Sequence, residues 1–259
     1  MAEMMENMEK NCKSDQIERK VHLWVEDSAA GYDLWRWLSV HVFSGVTLCP
    51  ESPQRGRWNI DELIKEVRLL KDTEDIHIIL PDDPVNNREL RVKISLLKKE
   101  MAGNPNIMII GDYICYESVL LSFSLFEDWV YRSRNKTISL DHHECLEMFR
   151  KGLISGDYDE CTDAIIKARE LYPNSKIDTF EQLAKVLLSH LTQKATGFIA
   201  NEKILGNCWT SSCDPCDYTY LDCKLFLSSE EKARSVYRNS YISEIFNNKG
   251  VQNVTDICI

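Results

Sequence analysis

The fold is decided by residues 21–35, which read VHLWVEDSAAGYDLW. Five mainly apolar residues predict a short buried strand, which ends at the acids Glu26 and Asp27 before a helix begins. Ligands of open α/β sheets bind outside the carboxyl ends of the strands, so we expect Glu26 to face that crevice. The competing interpretation is that both acids only stabilise the positive end of the next helix.

Strands and helices alternate along the first half of the chain. After the first strand, the pattern predicts further strands over residues 41–48, 76–80 and 106–110. It predicts helices over residues 32–40, 57–72 and 90–101, and Asn59 is expected to cap the second of them. Because parallel strands are joined by crossover helices, this alternation predicts an α/β fold with a mainly parallel sheet flanked by helices.

The character of the sequence changes near residue 140, after which helical patterns follow one another without an alternating strand. We therefore expect a flexible N-terminus over residues 1–19, an α/β domain over residues 20–135, and a mainly helical C-terminal region over residues 136–259 that includes a Cys-rich segment. The stretch around residues 133–140 is equally compatible with a loop inside one compact domain.

Composition limits the classes of protein that the chain can represent. The formal net charge is -10, which argues against coating nucleic acid by bulk electrostatics but leaves room for a local basic track. The chain has no Walker phosphate loop, no glycine-rich dinucleotide turn and no G-x-S-x-G elbow. We therefore expect neither a nucleotide hydrolase nor a serine hydrolase, and any ATPase must be a separate chain.

The first twenty residues mix Met, Glu, Asn and Lys without a continuous apolar stretch. We expect neither a secretion signal nor a membrane anchor, and therefore a cytoplasmic protein that makes no membrane contact. In that compartment the ten cysteines should be free thiols or metal ligands.

Acids follow three of the four predicted strands. They are Glu26 with Asp27, Asp82 with Asp83, and Asp112 followed by Glu117. Since the carboxyl ends of parallel strands meet at one edge of a sheet, these side chains are expected to converge, and hard divalent cations prefer such oxygen ligands. Separately, the Asp pair before Pro84 also suits a turn, and Glu117 also suits the start of a helix.

These motifs resemble the TOPRIM fold. The resemblance rests on the strand that ends in Glu26, the following helix with Asp33, the strand that ends in Asp82 and Asp83, and the segment YESVLL at residues 116–121. More narrowly, residues 20–130 resemble the TOPRIM-like nucleases of the DUF4435 family, relatives of the nuclease part of OLD proteins and of the effector subunit of the PARIS anti-phage system. Two departures are Asp27 in place of the glycine that often follows the first Glu, and adjacent acids in place of Asp-x-Asp.

The resemblance implies a metal-dependent active site. Glu26, Asp82 and Asp83 would hold Mg²⁺ or Mn²⁺, and Glu117 would complete the catalytic acids. Adjacent residues of an extended chain point in opposite directions, so one member of the Asp pair is expected to bind the metal unless the backbone turns there. Whether that member is Asp82 or Asp83 stays open.

The resemblance also implies a function. It predicts a nuclease that cleaves phosphodiester bonds, with RNA such as tRNA favoured over DNA, and the role of toxic effector in a bacterial anti-phage defence system. The expected partners are the nucleic-acid substrate, an ABC-type ATPase that keeps the nuclease in check, and a second copy of the chain in a homodimer. The alternative is a non-catalytic α/β interaction module that docks a partner protein.

Two further groups of residues carry separate hypotheses. Cys208, Cys213, Cys216 and Cys223 could hold a structural Zn²⁺, although one C-x₂-C step is weak evidence and free buried thiols are the alternative. Lys194 and Lys203 are candidate phosphate contacts. We expect the pair His142 and His143 to be surface residues, since neighbouring positions of a helix point apart.

Basic residues that could guide a nucleic-acid backbone form three clusters, each equally explained as solvated charge. They are Arg55 and Arg57; Lys93, Lys98 and Lys99; and Arg132, Arg134 and Lys136.

Overall fold

A computed structural model describes most of the chain. The described residues are 19–54, 56–82, 85–111, 113–132, 136–156, 158–193, 197–198, 205–212 and 227–248. Almost all of the predicted N-terminal segment, residues 1–18, lies outside them.

Within these ranges, four strands form one parallel sheet in the order β2-β1-β3-β4. They are β1 (Val21–Val25), β2 (Val46–Cys49), β3 (Ile76–Leu80) and β4 (Ile107–Ile109). The chain runs from β1 outward to β2 and then returns across β1 to β3, so the strand order reverses between β1 and β3. That reversal is a topological switch point, where open α/β sheets form a crevice at the carboxyl ends of their strands.

Helices surround this sheet and continue beyond it. Those of the α/β part are α1 (Ala30–His41), α2 (Ile60–Arg68), α3 (Arg88–Met101), α4 (Tyr116–Ser122) and α5 (Phe126–Val130). Those that follow are α6 (Leu140–Ser155), α7 (Tyr158–Leu171), α8 (Phe180–Thr192), α9 (Asn207–Thr210), α10 (Ser229–Arg238) and α11 (Tyr241–Asn248). The predicted α/β class with a parallel sheet flanked by helices is confirmed.

The two faces of the sheet pack against different helices. Helices α2 and α3 cover one face in a small apolar core around Ile79 and Ile107. Helices α1 and α4 cover the other face, where Leu23, Val25 and Leu80 belong to a larger core. Helices α1 and α2 therefore lie on opposite faces of the sheet.

The larger core extends across the predicted boundary at residue 135. It includes buried residues of α6, α8, α10 and α11 as well as residues of the sheet. Two hydrogen bonds also join the parts: Trp37 Nε1 donates to Ser229 Oγ at 2.9 Å, and Phe180 N–H donates to the Val85 carbonyl at 3.4 Å. The helical region therefore packs directly on the α/β part.

The second predicted strand was wrong at its start. Residues 41–48 were expected to be extended, but His41 ends α1 and the strand covers Val46–Cys49. Phe43 is one of the apolar residues that suggested an earlier strand, and it is buried in the larger core. Gly45 then turns the chain with a φ of 80°. The apolar end of a helix followed by a turn thus gave residues 41–45 a sequence pattern that resembles a strand.

Side-chain caps set the observed starts of α2 and α3. Asn59 Oδ1 accepts from the N–H of Asp61 at 2.9 Å, which confirms the predicted cap and begins α2 three residues later than expected. Asn87 Oδ1 accepts from Leu90 N–H at 3.3 Å, so α3 begins two residues earlier than expected. The strand predicted over residues 76–80 is confirmed without change.

Membrane crossing requires a long apolar helix. None of the helices in the described ranges combines the necessary length and apolar character.

Candidate functional site

The switch point brings together the ends of β1 and β3. Glu26 N–H donates to the Leu80 carbonyl at 3.3 Å, which continues the strand pairing by one residue. The Glu26 carboxylate then accepts a hydrogen bond from the backbone N–H of Asp82 at 3.0 Å. Glu26 therefore faces the loop after β3, as predicted, and Asp82 is fixed beside it.

Asp27 is held differently from its neighbour. Its carboxylate is 8% exposed and accepts hydrogen bonds from Trp35 Nε1 at 2.8 Å and from the Tyr113 hydroxyl at 2.5 Å. Gly31 of α1 lies so close that an added Cβ would come within 2.4 Å of Asp27 Oδ1. Asp27 thus links the end of β1 to α1, through Trp35 and Gly31, and to the segment after β4, through Tyr113. We call this set of contacts the platform under the crevice.

This platform yields a stability prediction. Tyr113→Phe should lower the free energy of unfolding by about 1.5 kcal/mol, because it removes a donor from a buried carboxylate. Urea unfolding followed by tryptophan fluorescence measures the change. Tyr32→Phe is the matched control, since the Tyr32 hydroxyl donates to the backbone carbonyl of Glu51 in an exposed setting. Equal stability of the two variants would show that Asp27 does not depend on Tyr113.

Glu117 reaches the site from the first turn of α4. The residue is 5% exposed, and its Oε2 atom is buried without a hydrogen-bond partner in the described part of the chain. Asp82 Oδ1 is also buried and unpartnered there. Buried polar oxygens normally have partners, so two orphaned carboxylate oxygens at one edge indicate an acceptor set that protein donors do not satisfy.

A cation from the helical region faces these acids. Lys185 of α8 makes an ion pair with Glu181 one turn earlier on the same helix. Burial lowers the pKa of Lys185, but the charges of Glu181 and Glu117 raise it more, so the ammonium group keeps its proton. Lys185 could not be predicted as a site residue, because nothing in the helical pattern of α8 distinguishes it from a solvated lysine.

The pKa values of the acids are all displaced upward. Burial raises the pKa of Glu26 to about 8, although the hydrogen bond from Asp82 N–H opposes the change. Burial raises the pKa of Glu117 to about 7 against the charge of Lys185, and that of Asp27 to about 6 against its two donors. Burial and the charges of Asp27 and Glu26 raise the pKa of Asp82 well above its ordinary range.

The main cause of these shifts is burial, which removes water from the carboxyl groups, and the negative charges of neighbouring acids add to it. Without further positive charge, some of the carboxyl groups must hold a proton near neutral pH. A divalent cation would supply that charge through oxygen ligands, and the unpartnered oxygens of Asp82 and Glu117 are suitable donors. The chemistry of these oxygen ligands suits Mg²⁺ or Mn²⁺, but Glu26, Asp82 and Glu117 are not among the described residues whose ligand atoms lie within 4.8 Å of one another, so their side chains would have to move closer together to bind one ion.

A second acidic group lies away from the crevice. Among the described residues, the group of three potential ligands whose atoms all lie within 4.8 Å of one another is Glu127, His143 and Glu147. Arg150 is already there: its Nη1 atom lies 2.7 Å from Glu147 and 4.0 Å from Glu127. The guanidinium also donates to two backbone carbonyls, of Leu121 and Phe123, and so neutralises this group as a fixed structural cation.

Several predicted site residues lie outside the described residues, and the hypotheses that depend on them stay predictions. These residues are Asp83, Asp112, Lys194, Lys203, Cys213, Cys216 and Cys223. Of the proposed zinc ligands only Cys208 is described; it lies in α9, partly buried against the larger core.

Two residues of the predicted basic clusters have acidic partners, whereas Arg57 bonds to Gln54 at 3.2 Å, and Arg55 and Arg134 lie outside the described residues. Lys93 lies 2.9 Å from Asp61 and 3.6 Å from Glu89, and Arg132 lies 2.8 Å from Asp128. These positions match the solvated-charge interpretation. His143, expected to be a surface residue, is 43% exposed and hydrogen-bonded to Glu127 at 2.8 Å.

Comparison with known proteins gives no relative for this arrangement: no family model matches the chain, and no match was found among curated proteins or solved structures.

Proposed function

We propose that the chain is a divalent-metal-dependent phosphodiesterase of the TOPRIM-like type, a nuclease. The observation that carries this proposal is the hydrogen bond that joins Glu26 to the Asp82 backbone at the switch point, together with the buried oxygens of Asp82 and Glu117 that have no partner among the described residues. Crevices at switch points are the usual ligand sites of open α/β sheets. An excess of buried carboxylates at such a place is the electrostatic condition for cation binding.

The residues would divide the work as follows. Glu26, Asp82 and Glu117 would hold Mg²⁺ or Mn²⁺, which when bound lowers the pKa of water and offsets charge on a phosphodiester. Glu26, which lies beside the Asp82 backbone, would accept the proton of the attacking water. Lys185 would add positive charge where negative charge develops on the phosphate oxygens. Asp27 accepts hydrogen bonds from Trp35 and Tyr113 and would fix the position of α1 relative to β1 beneath the site.

The substrate and biological setting extend this proposal on the strength of the sequence resemblance to TOPRIM-like nucleases of the DUF4435 and OLD type. RNA, including tRNA, is the favoured substrate over DNA. The chain would act as the toxic effector of an anti-phage system, and a separate ABC-type ATPase would restrain it. Homodimerisation belongs to the same proposal.

The direct test is cleavage of labelled nucleic acid. End-labelled tRNA, an unstructured RNA and duplex DNA are each incubated with the full chain in Mg²⁺, in Mn²⁺ and in excess EDTA. We expect metal-dependent shortening of an RNA substrate and complete loss of cleavage in EDTA. Absence of cleavage in either metal, both alone and after release from a co-expressed ATPase partner, would contradict the nuclease proposal.

A non-catalytic interaction module is the second candidate. It is favoured by the full engagement of Asp27 by protein donors and by the ion pair of Lys185 with Glu181, both of which suit a self-contained polar core. Expression in cells discriminates the two functions. A nuclease effector should be toxic when expressed without its restraint and harmless as Glu26→Gln, whereas an interaction module should behave identically in both forms.

A further inference from the structure

A cavity of about 360 Å³ lies beside the segment that leads into α6 and the carboxyl end of α8. Its polar wall is formed by Lys136, Thr137, Ser139, His142, His190 and Gln193. His190 lies five positions beyond Lys185, so this cavity is roughly 7.5 Å along α8 from the lysine that faces the acids of the crevice.

The wall of this cavity has an unusual charge pattern for an acidic protein. It contains two imidazoles and one ammonium group, and none of its described lining residues is Asp or Glu. The chain as a whole carries a formal charge of -10. A concave site that presents nitrogen donors and hydroxyls without a carboxylate is complementary to an anion.

The two imidazoles are held in place by a buried tyrosine. Tyr172 stacks on His190 with ring centroids 4.2 Å apart, and its centroid lies 5.6 Å from that of His142. Tyr172 is 6% exposed, and its hydroxyl is buried without a hydrogen-bond partner among the described residues. The ring pair is therefore oriented by packing before any ligand arrives, which lowers the ordering cost of binding.

The amino end of α6 adds donors to the same wall. Ser139 occupies the N-cap position of this 16-residue helix but makes no side-chain capping hydrogen bond. Its hydroxyl contacts His142 Nδ1 at 2.5 Å instead. The first turn of a helix presents backbone N–H groups and partial positive charge, both of which favour an anion.

We infer that the cavity between α6 and α8 is a binding site for a phosphate group, with His142, His190 and Lys136 as its principal contacts. This site is separate from the acidic crevice and does not require that the chain be a nuclease. The phosphate group could belong to inorganic phosphate or to a nucleic-acid backbone, and the chemistry of recognition is the same for both.

The test uses the full chain in EDTA, so that metal binding and cleavage play no part. Inorganic phosphate is titrated into protein with ¹⁵N-labelled histidine, and ring resonances are followed by NMR. Saturable shifts are expected at His142 and His190. The stacked pair His22 and His77, which lies on the sheet, should not respond.

Variants supply the second measurement. His142→Gln and His190→Gln should each weaken phosphate binding by about tenfold, the effect of losing one hydrogen bond to an anion. His143→Gln is the matched control, because it is the next residue on α6 but bonds to Glu127 outside the cavity. Thermal unfolding checks that the variants remain folded. If a variant does not fold, the response of the wild-type histidine resonances to phosphate tests the inference.

Competition then separates the two sources of phosphate. If a dinucleoside monophosphate displaces inorganic phosphate, the site accepts backbone phosphate; if only the inorganic ion or a terminal phosphate binds, the site takes a free phosphate group. Either result supports the inference. Absence of saturable shifts at both histidines, or equal binding by all three variants, would overturn it while leaving the nuclease proposal untouched.

Discussion

Glu26→Gln is expected to lower metal-dependent cleavage by about a thousandfold, which is the scale of removing a general base. The substitution keeps the size of the side chain and its ability to accept the hydrogen bond from Asp82 N–H. It removes the negative charge that would hold the cation and take the proton from water. Initial rates on the preferred RNA substrate, measured over a series of Mg²⁺ concentrations, test the prediction.

Glu62→Gln is the matched control for this experiment. Glu62 is an acid of α2 whose side chain is 45% exposed and makes an ion pair with Lys65 at 3.2 Å. It should retain the wild-type rate and metal dependence. If Glu26→Gln cleaves as fast as Glu62→Gln, the acids at the switch point are not catalytic, whatever activity the preparation contains.

The metal-free protein should lose stability as the pH rises. Burial raises the pKa of Glu117 from its ordinary 4.5 to about 7, so the folded state binds this proton more tightly than the unfolded state does. The contribution of the Glu117 proton to the stability of the folded state is fully present below pH 4.5, and it is lost as the pH rises toward 7. A shift of that size corresponds to a loss on the order of 3 kcal/mol. Glu26, with a pKa near 8, extends the loss to higher pH.

Urea unfolding in EDTA at pH 5 and pH 8 measures this effect. Glu117→Gln carries no titrating proton at that position, so it should lose less stability than the wild type over the same range. Burial lowers the pKa of His77 to about 4, but His77 titrates in both proteins and its effect cancels in the comparison. Identical pH dependence of the two proteins would contradict a folding penalty at Glu117.

Mg²⁺ should reverse the loss at pH 8. A ligand present at 100 times its dissociation constant adds about 2.7 kcal/mol to the stability of the folded state. The gain should be largest for the wild type, and small for Glu117→Gln, whose amide is a poor substitute for a charged ligand. Repeating the pH 8 measurement with Mg²⁺ in place of EDTA provides the comparison.

Much of the fold could be predicted because its strands are short and apolar, and because Asn59 and Asn87 cap two of the helices between them. Residues 76–80 form a strand with the expected limits, and Asn59 caps α2 as its position implied. The convergence of Glu26 and Asp82 also followed from parallel strands, since their carboxyl ends must meet at one edge. These are local or topological consequences that a single sequence carries.

The remaining features depend on contacts between distant segments. Lys185 matters only because α8 packs beside α4, and no pattern within either helix encodes that pairing. The platform under the crevice likewise needs Tyr113 to reach Asp27 across 86 positions of the chain. Such long-range pairs are chosen by packing of the whole core, which periodicity does not describe.

Helix α4 limits how this protein could be dismantled or recombined. From Tyr116 to Leu121 every residue of α4 is buried, and three of the helices that pack on it, α6, α8 and α11, come from beyond residue 135. A fragment that ended at residue 135 would expose the apolar surface of α4 to water. Its buried carboxylates would also lack the ammonium group of Lys185 as a counter-ion. If recombination replaced the helical region, the new region would have to cover the apolar surface of α4. It would also have to supply a positive charge in place of Lys185.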